Sequence, residues 1–428
     1  MTTLGIICEL NPLHSGHLRL LDFARAHADT VVIAMSGPFV QRGEVAVMDP
    51  WTRARQAVRH SADLVLQIPT VYVLQSADYY AKGGVSTLNA LGAVDGLAFG
   101  VEAEAPVFSP KDVDADSVLR EQLQSGLSYR RAAAASLGHT LSPNAILASQ
   151  YIHAVHNLGL SWVFYPLARP VSSPGDPSAT RLRQNLAILA QNGASQKNLT
   201  QGASFQKRLF QEEKVPSRAS CVHLDGYALQ SFEDPAFDAL VDKELVAKSY
   251  HPAETSAVIQ WLQLENRRGT LDFQTSPHFE PGMDRRVSAV LDQWSRESQI
   301  SHGKLLAKIQ DSHAQDHISN HHTLEELVTL CANKRQSKAR YRRMIWTTLL
   351  GITKADLVPV TYLMPLAFNQ KGAALLKRAP SPVIQKKVPN DLSSDAKRLL
   401  AVDRRAWAIA QHLTGQSRSP ESYRYLVD

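Results

Sequence analysis

A chain of 428 residues with 44% hydrophobic and 20% charged residues has the composition of a globular protein of two or three domains, which excludes a disordered chain, a collagen and a mucin-like stalk. No run of about 18 apolar residues occurs, and Met1-Thr2-Thr3-Leu4 places no basic segment before an apolar stretch, so neither a spanning helix nor a secretory signal is expected and the cytoplasm is the default compartment. The formal charge of +6 conceals an asymmetry: residues 331–428 carry 18 Lys and Arg against 6 Asp and Glu, leaving 28 against 34 in the rest of the chain. A basic C-terminal quarter on an acidic body points to a polyanionic partner. The three cysteines, Cys8, Cys221 and Cys331, are far apart and lack metal-ligand spacing, so neither disulfides nor zinc are expected.

In chain order, the first 170 residues alternate short apolar runs with amphipathic segments, the pattern of βα units around a doubly wound parallel sheet. Five strands are predicted, at Leu4–Cys8, Thr30–Met35, Asp63–Ile68, Gly96–Phe99 and Trp162–Tyr165. Helical periodicity lies between them, over Leu18–Ala28, Trp51–Ser61, Ala77–Leu91 and Ala145–Asn157. Asp49-Pro50 is a helix start, with Asp49 as N-cap and Pro50 at the first helical position, and Ser142-Pro143-Asn144 resembles it. From about 190 to 300 the pattern weakens, with polar stretches and few strand-like runs, and this part reads as helical and connecting. Helical periodicity returns in Leu324–Val328 and Met344–Leu350. Pro380, Pro382 and Pro389 then interrupt the chain before a last helix around Ala396–Leu413.

Ligands of open α/β sheets gather at the carboxyl ends of the strands, and the informative segment lies there: Glu9-Leu10-Asn11-Pro12-Leu13-His14-Ser15-Gly16-His17 joins the first strand to the first helix. His14 and His17, three apart at a helix start, share one face of the first turn beside N–H groups that have no intrahelical partner, so an anion is favoured. Gly16 removes a side chain where a ring or ribose could approach the backbone, and Asn11-Pro12 fixes the turn. In outline this is a nucleotide pocket. No Walker A sequence and no early G-x-G-x-x-G occurs, which disfavours a P-loop kinase or a dinucleotide dehydrogenase.

On these residues the chain resembles the HxGH nucleotidyltransferase superfamily. Gly5–His17, Met35–Glu44, Ala62–Val65, Gln75–Gly84 and Phe99–Glu102 are similar to segments of the bacterial tRNA(Met) cytidine acetate ligases, as are Ser142–Asn144, Ser178–Arg183, Leu324–Leu327, Lys334–Arg343 and Phe368–Gly372. The resemblance implies a Rossmann-like nucleotidyltransferase domain over 1–190, a helical connecting region over 191–320 and a basic helical tRNA-binding region over 321–428. It implies two steps: acetate and ATP form acetyl-adenylate and pyrophosphate, then the acetyl group passes to the wobble cytidine of elongator tRNA(Met), giving N4-acetylcytidine. Acetate is itself the nucleophile, so no covalent Ser or Cys is needed and catalysis rests on positioning and charge stabilisation.

By the same resemblance His14 and His17 are the catalytic pair. The ATP pocket comprises Ile7, Cys8, Glu9, Leu10, Asn11, Pro12, Leu13, His14, Ser15, Gly16, His17, Leu18, Arg19 and Leu20, then Gly100, Asn144, Arg169, Ser178 and Thr180. The tRNA contacts fall on Lys334, Arg335, Lys338, Arg340, Arg342 and Arg343. Magnesium is expected to accompany ATP, with no protein metal site and no obligate protein partner. Leu10 departs from a usual aromatic, Ser15 and Pro38 from Asn, Gln67 from Glu and Val101 from Ser, and the Arg169–Ser178 segment is short.

Plainer roles stand beside these. Gly100 could be a strand-end turn, Asn144 a helix cap, Arg169 a surface charge and the basic run a solvated helix. Gln41, Arg42 and Lys82 are balanced between substrate contact and structural hydrogen bonding, and Phe99 and Trp162 read as core. Two rival functions are weaker. A small-molecule adenylyltransferase leaves the basic quarter without a purpose, and a non-catalytic RNA-binding scaffold leaves the paired histidines without one.

Overall fold

The computed structural model describes residues 1–102, 121, 143–169, 183, 220–224, 227–231, 256–269, 271–309, 323–333, 335–384 and 388–414. The chain forms two compact units: Met1–Gln41, Val45–His251 and Val358–Asp428 make the first, and Arg42–Glu44 with Pro252–Leu357 make the second. This division departs from the expected 1–190, 191–320 and 321–428, because the chain after Val358 groups with the sheet. No helix among the described residues is long and apolar enough to cross a membrane.

The expected strands form, most of them longer than their apolar runs: β1 (Thr3–Cys8), β2 (Thr30–Ser36), β5 (Leu64–Ile68), β6 (Gly96–Glu102) and β7 (Val163–Arg169). Between β2 and β5 the short strands β3 (Phe39–Val40) and β4 (Glu44–Val45) form a separate ribbon. The main sheet has the order β5-β2-β1-β6-β7 with all five parallel, plus one antiparallel edge strand beside β5, β10 (Pro365–Phe368). Strand order therefore reverses at β1, and the crevice between the carboxyl ends of β1 and β6 is the topological switch point.

Helices cover both faces. On one side α1 (Ser15–His27) and α2 (Pro50–Arg59) bury Leu20, Leu21, Ala24, Trp51, Ala54 and Ala57 against Leu4, Ile6, Val31, Ile33, Met35 and Val65. Asp49 caps α2 as expected, its carboxylate accepting from the Thr52 amide at 2.9 Å. After the short α3 (Thr70–Val73), α4 (Ala77–Ala90) and α5 (Pro143–Asn157) cover the other side, where a Cβ on Gly5 would lie 2.6 Å from Leu88. The strand-rich pair β8 (Ser220–Leu224) and β9 (Tyr227–Ser231), antiparallel, falls in the region read as helical and connecting.

The second unit is helical. Its elements are α6 (Ser256–Arg268), α7 (Met283–Ile309), α8 (Leu324–Cys331) and α9 (Lys338–Leu349), packed successively around Leu262, Phe273, Met283, Val287, Leu291, Leu327, Tyr341 and Ile345. The ribbon tip Arg42–Glu44 belongs here, with the Trp346 indole donating to the Gly43 carbonyl at 2.9 Å.

The remaining basic segment is not uniformly helical. The strand β10 closes the edge of β5, and α10 (Gln370–Arg378) is capped by Asn369, whose amide also donates to Asp63 at 2.9 Å. A Cβ on Gly372 would stand 2.1 Å from the Asp63 carbonyl, so Phe368–Gly372 is a docking motif for the start of β5. The last helix, α11 (Ser394–Thr414), stacks Trp407 on Trp51 with ring centroids 4.1 Å apart. It also buries Asp403, which accepts from the Thr70 amide at 2.8 Å and the Tyr362 hydroxyl at 2.7 Å.

Candidate active site

The loop after β1 enters α1 through His14, which is extended (φ −150°, ψ 170°) and caps the helix with its own ring, Nδ1 accepting from the Gly16 amide at 3.1 Å. In a neutral ring, an Nδ1 that accepts leaves the proton on Nε2, so the distal nitrogen of His14 is a donor. The His17 ring lies beside it, centroids 3.8 Å apart and tilted by 32°. A Cβ on Gly16 would approach the His14 ring to 2.9 Å. The glycine is therefore required by the cap itself, a reason additional to ligand approach. Two imidazoles thus meet at the N-terminus of a 13-residue helix that begins at the switch point, an arrangement that attracts phosphate.

The loop is pinned along its length. Leu10 adopts φ 46°, a left-handed conformation costly for a branched side chain, and is only 1% exposed. The Asn11–Pro12 peptide is cis. Asn11 Oδ1 accepts from the Val47 amide at 2.8 Å, and its carbonyl accepts from Arg183 Nη1 at 2.8 Å. Glu9 Oε1 accepts from the Gln41 amide at 2.8 Å, while the Gln41 side chain donates to the Gln75 carbonyl at 3.1 Å. Gln41 is thus a structural member of the rim. Lys82 is exposed on α4.

Beneath the loop lies Arg53, which is 0% exposed. Its guanidinium donates to three backbone carbonyls: Glu9 after β1, Gly37 after β2, and Met48, the last at 3.0 Å. Burial pulls its pKa down to about 10, against the opposing influence of Asp49 and Glu9, so it stays charged at neutral pH. Arg53 ties together the loops of two adjacent strands. Sequence reasoning missed it, because an arginine in a polar-looking helix reads as solvated. Burial, with Glu9 adding and Arg53 opposing, pushes the Cys8 thiol up to about 12, which removes it as a nucleophile.

The other expected ATP contacts divide by position. Ile7, Leu10, Leu13 and Leu20 have buried side chains, and Arg19 is exposed. Gly100 is not at a strand end: β6 continues to Glu102, and Gly100 pairs with Leu167 in the neighbouring strand. Asn144 is the second residue of α5, and Arg169 ends β7 opposite Glu102. Ser178 and Thr180 lie outside the described residues. Among those residues no group of three His, Cys, Asp or Glu comes together to hold a metal ion.

The expected tRNA contacts have a different character. Lys334 lies outside the described residues, and Ser337 caps α9 by accepting from the Arg340 amide. Arg340 pairs with Glu280 at 2.7 Å and donates to the His278 carbonyl at 3.0 Å. Arg342, its side chain 14% exposed, bonds Glu325 and meets Glu44 at 3.2 Å. Lys338 reaches Glu325 at 3.2 Å, and Arg335 lies 3.9 Å from Glu280 with 70% of its side chain exposed. Glu325 sits below its ordinary pKa: burial alone would raise it, and the bonds and charges of Arg342 and Lys338 lower it. Arg343 is half-buried on the same helix.

Comparison with known proteins agrees with this architecture. The family described as HIGH Nucleotidyl Transferase matches residues 1–225 and 248–423. A Lactobacillus delbrueckii subsp. bulgaricus protein named tRNA(Met) cytidine acetate ligase is 30% identical over 396 residues, covering 88% of this chain and 87% of that protein. Its namesake from Bacillus velezensis is 35% identical over 215 residues, 44% of this chain and about half (52%) of the relative's length. Among solved structures, Thermotoga maritima TmcAL bound with alpha-thio ATP superimposes with a TM-score of 0.72 at 21% identity, covering 100% of this chain and 99% of that one.

Proposed function

The chain belongs to the HIGH nucleotidyl transferase family and, within it, to the tRNA(Met) cytidine acetate ligases; from that premise we propose that it activates acetate with ATP and delivers the acetyl group to the wobble cytidine of elongator tRNA(Met). An acetate oxygen attacks the α-phosphorus and pyrophosphate departs. The cytidine N4 then attacks the acetyl carbonyl, loses a proton, and AMP leaves. Neither step requires a covalent bond to the protein, in keeping with the protonated Cys8.

The observation that carries this reading is the pair His14 and His17 at the switch point, ring centroids 3.8 Å apart, with His14 Nδ1 accepting from the Gly16 amide. His14 and His17 stabilise charge on the α-phosphate and the departing pyrophosphate. The loop Ile7–Leu20 receives ATP largely through its backbone, and Gly100, Asn144, Arg169, Ser178 and Thr180 complete the pocket. Magnesium accompanies the charged triphosphate. Arg335 and Lys338, the more exposed cations before and at the start of α9, meet tRNA phosphates first. Arg340, Arg342 and Arg343 stand behind them. The cytoplasm, where tRNA is modified, is the site of action.

Exchange of labelled pyrophosphate into ATP, with and without acetate, tests the reading. Acetate-dependent exchange in the absence of tRNA is expected. Exchange indifferent to acetate would point to a different acceptor for the adenylyl group.

A further inference from the structure

On the α4 face of the sheet two close approaches fix how the helix lies on β1. A Cβ on Gly5 would be 2.6 Å from Leu88, and a Cβ on Gly84 would be 2.7 Å from Ile7. Four residues back along the helix accompany two residues forward along the strand, as expected for antiparallel elements rising about 6 Å per four helical residues and about 6.6 Å per two strand residues. One turn further along the helix Tyr80 lies toward the carboxyl end of β1, where Tyr151, Glu9, Cys8 and Arg53 are its electrostatic neighbours. Tyr80 is 2% exposed, and among the described residues its hydroxyl has no hydrogen-bond partner. Buried phenols are ordinarily bonded. Across the crevice Tyr151 of α5 lies against Phe99 of β6, ring centroids 6.3 Å apart, one residue before Gly100.

We propose that this is the carboxylic acid subsite: the Tyr80 hydroxyl donates to a carboxylate oxygen of acetate, and Tyr151 and Phe99 close the space around its methyl group. The assignment rests on the ligase reading above. Burial pushes both phenols up, reinforced at Tyr80 by Tyr151, Glu9 and Cys8 against the opposing Arg53, and at Tyr151 by Cys8 and Glu9. Both hydroxyls therefore keep their protons and act as donors. The negative Glu9 is offset by the Arg53 cation bonded to its carbonyl, so the orientation of the acid is set by the Tyr80 donor.

The test is acetate titration of pyrophosphate–ATP exchange with wild type, Tyr80→Phe and Tyr151→Phe, accompanied by thermal melting with and without acetate. Tyr80→Phe is expected to raise the acetate KM by about 10- to 100-fold, the loss of one hydrogen bond to a charged group, while the ATP KM is unchanged. Its melting temperature should not fall, because the hydroxyl bonds nothing among the described residues, and acetate should no longer raise it. Phe99→Ala should raise propionate turnover relative to acetate. An unchanged acetate KM, an ATP KM that rises in parallel, or a large loss of stability in Tyr80→Phe would each overturn the subsite. Wild-type exchange that ignores acetate would instead bring down the ligase reading, and the two failures are thereby distinguished.

Discussion

The start of α1 and the start of α9 both gather nitrogen-bearing side chains at a helix N-terminus, and they employ them in opposite ways. At α1 one imidazole caps the helix and lies tilted beside the second, with a glycine between them whose Cβ the cap would crowd. At α9 the arginines that dominate the charge count are engaged by Glu44, Glu280 and Glu325. A local motif thus reports how its side chains are used, whereas a segment's net charge does not say how much of it reaches solvent. Charge available to a polyanion is what remains after internal pairing.

The largest effect expected is on what supports the first of these sites. Arg53→Met leaves three carbonyls without their donor, at about 1–3 kcal/mol each, so urea unfolding should show a loss of about 3 kcal/mol or more. A wild-type midpoint would show that the loop is held without it. Next, His14→Ala should lower acetate-dependent exchange by about 10²–10³ and leave tRNA binding unaffected. His14→Asn restores a cap acceptor, worth about 1 kcal/mol of stability, and should not restore turnover. Full turnover in the asparagine variant would reduce His14 to a cap and erase the contrast with α9.

Smaller effects are expected on α9. Arg342→Ala breaks a partly exposed pairing with two carboxylates and should cost about 1–2 kcal/mol in thermal or urea unfolding, with the salt dependence of tRNA binding preserved. Smallest is Arg335→Ala with Lys338→Ala, which should leave stability nearly unchanged and reduce the slope of log K against log salt by up to about 2 in filter binding. The reverse pattern, a flattened slope for Arg342→Ala and none for the exposed pair, would show that phosphate displaces the glutamates. Replacing Arg340, Arg342 and Arg343 together would mix these two consequences.

Periodicity and caps made the parallel sheet legible: five apolar runs became β1, β2, β5, β6 and β7, and Asp49-Pro50 began α2 as its chemistry required. Strand β10 was not legible, because four residues beginning with proline carry no alternation and are ordered by pairing with β5. The pair β8 and β9 carries a sequence signal of its own, the Asp225-Gly226 dipeptide between Leu224 and Tyr227, a frequent hairpin connection. At the site, His14, Gly16 and His17 announced themselves by spacing. Arg53 and Tyr80 did not, since their importance lies in burial by partners distant in sequence. Gly100, expected at a strand end, lies inside β6 because that strand gains three further residues from pairing with β7.

The edge strand β10 has a consequence for synthesis. Ile68, at the end of β5, leaves the ribosome roughly 300 residues before Pro365, an interval on the order of 15–60 s at about 5–20 residues per second. Throughout that time β5 offers an unpaired hydrogen-bonding edge to other nascent chains. The sheet is therefore completed only at the end of synthesis: its outer strand, the Asp63 dock of Phe368–Gly372 and the Trp407 stack all await the final quarter of the polypeptide. A chain truncated before that point would hold five of the six strands and leave the β5 edge unpaired.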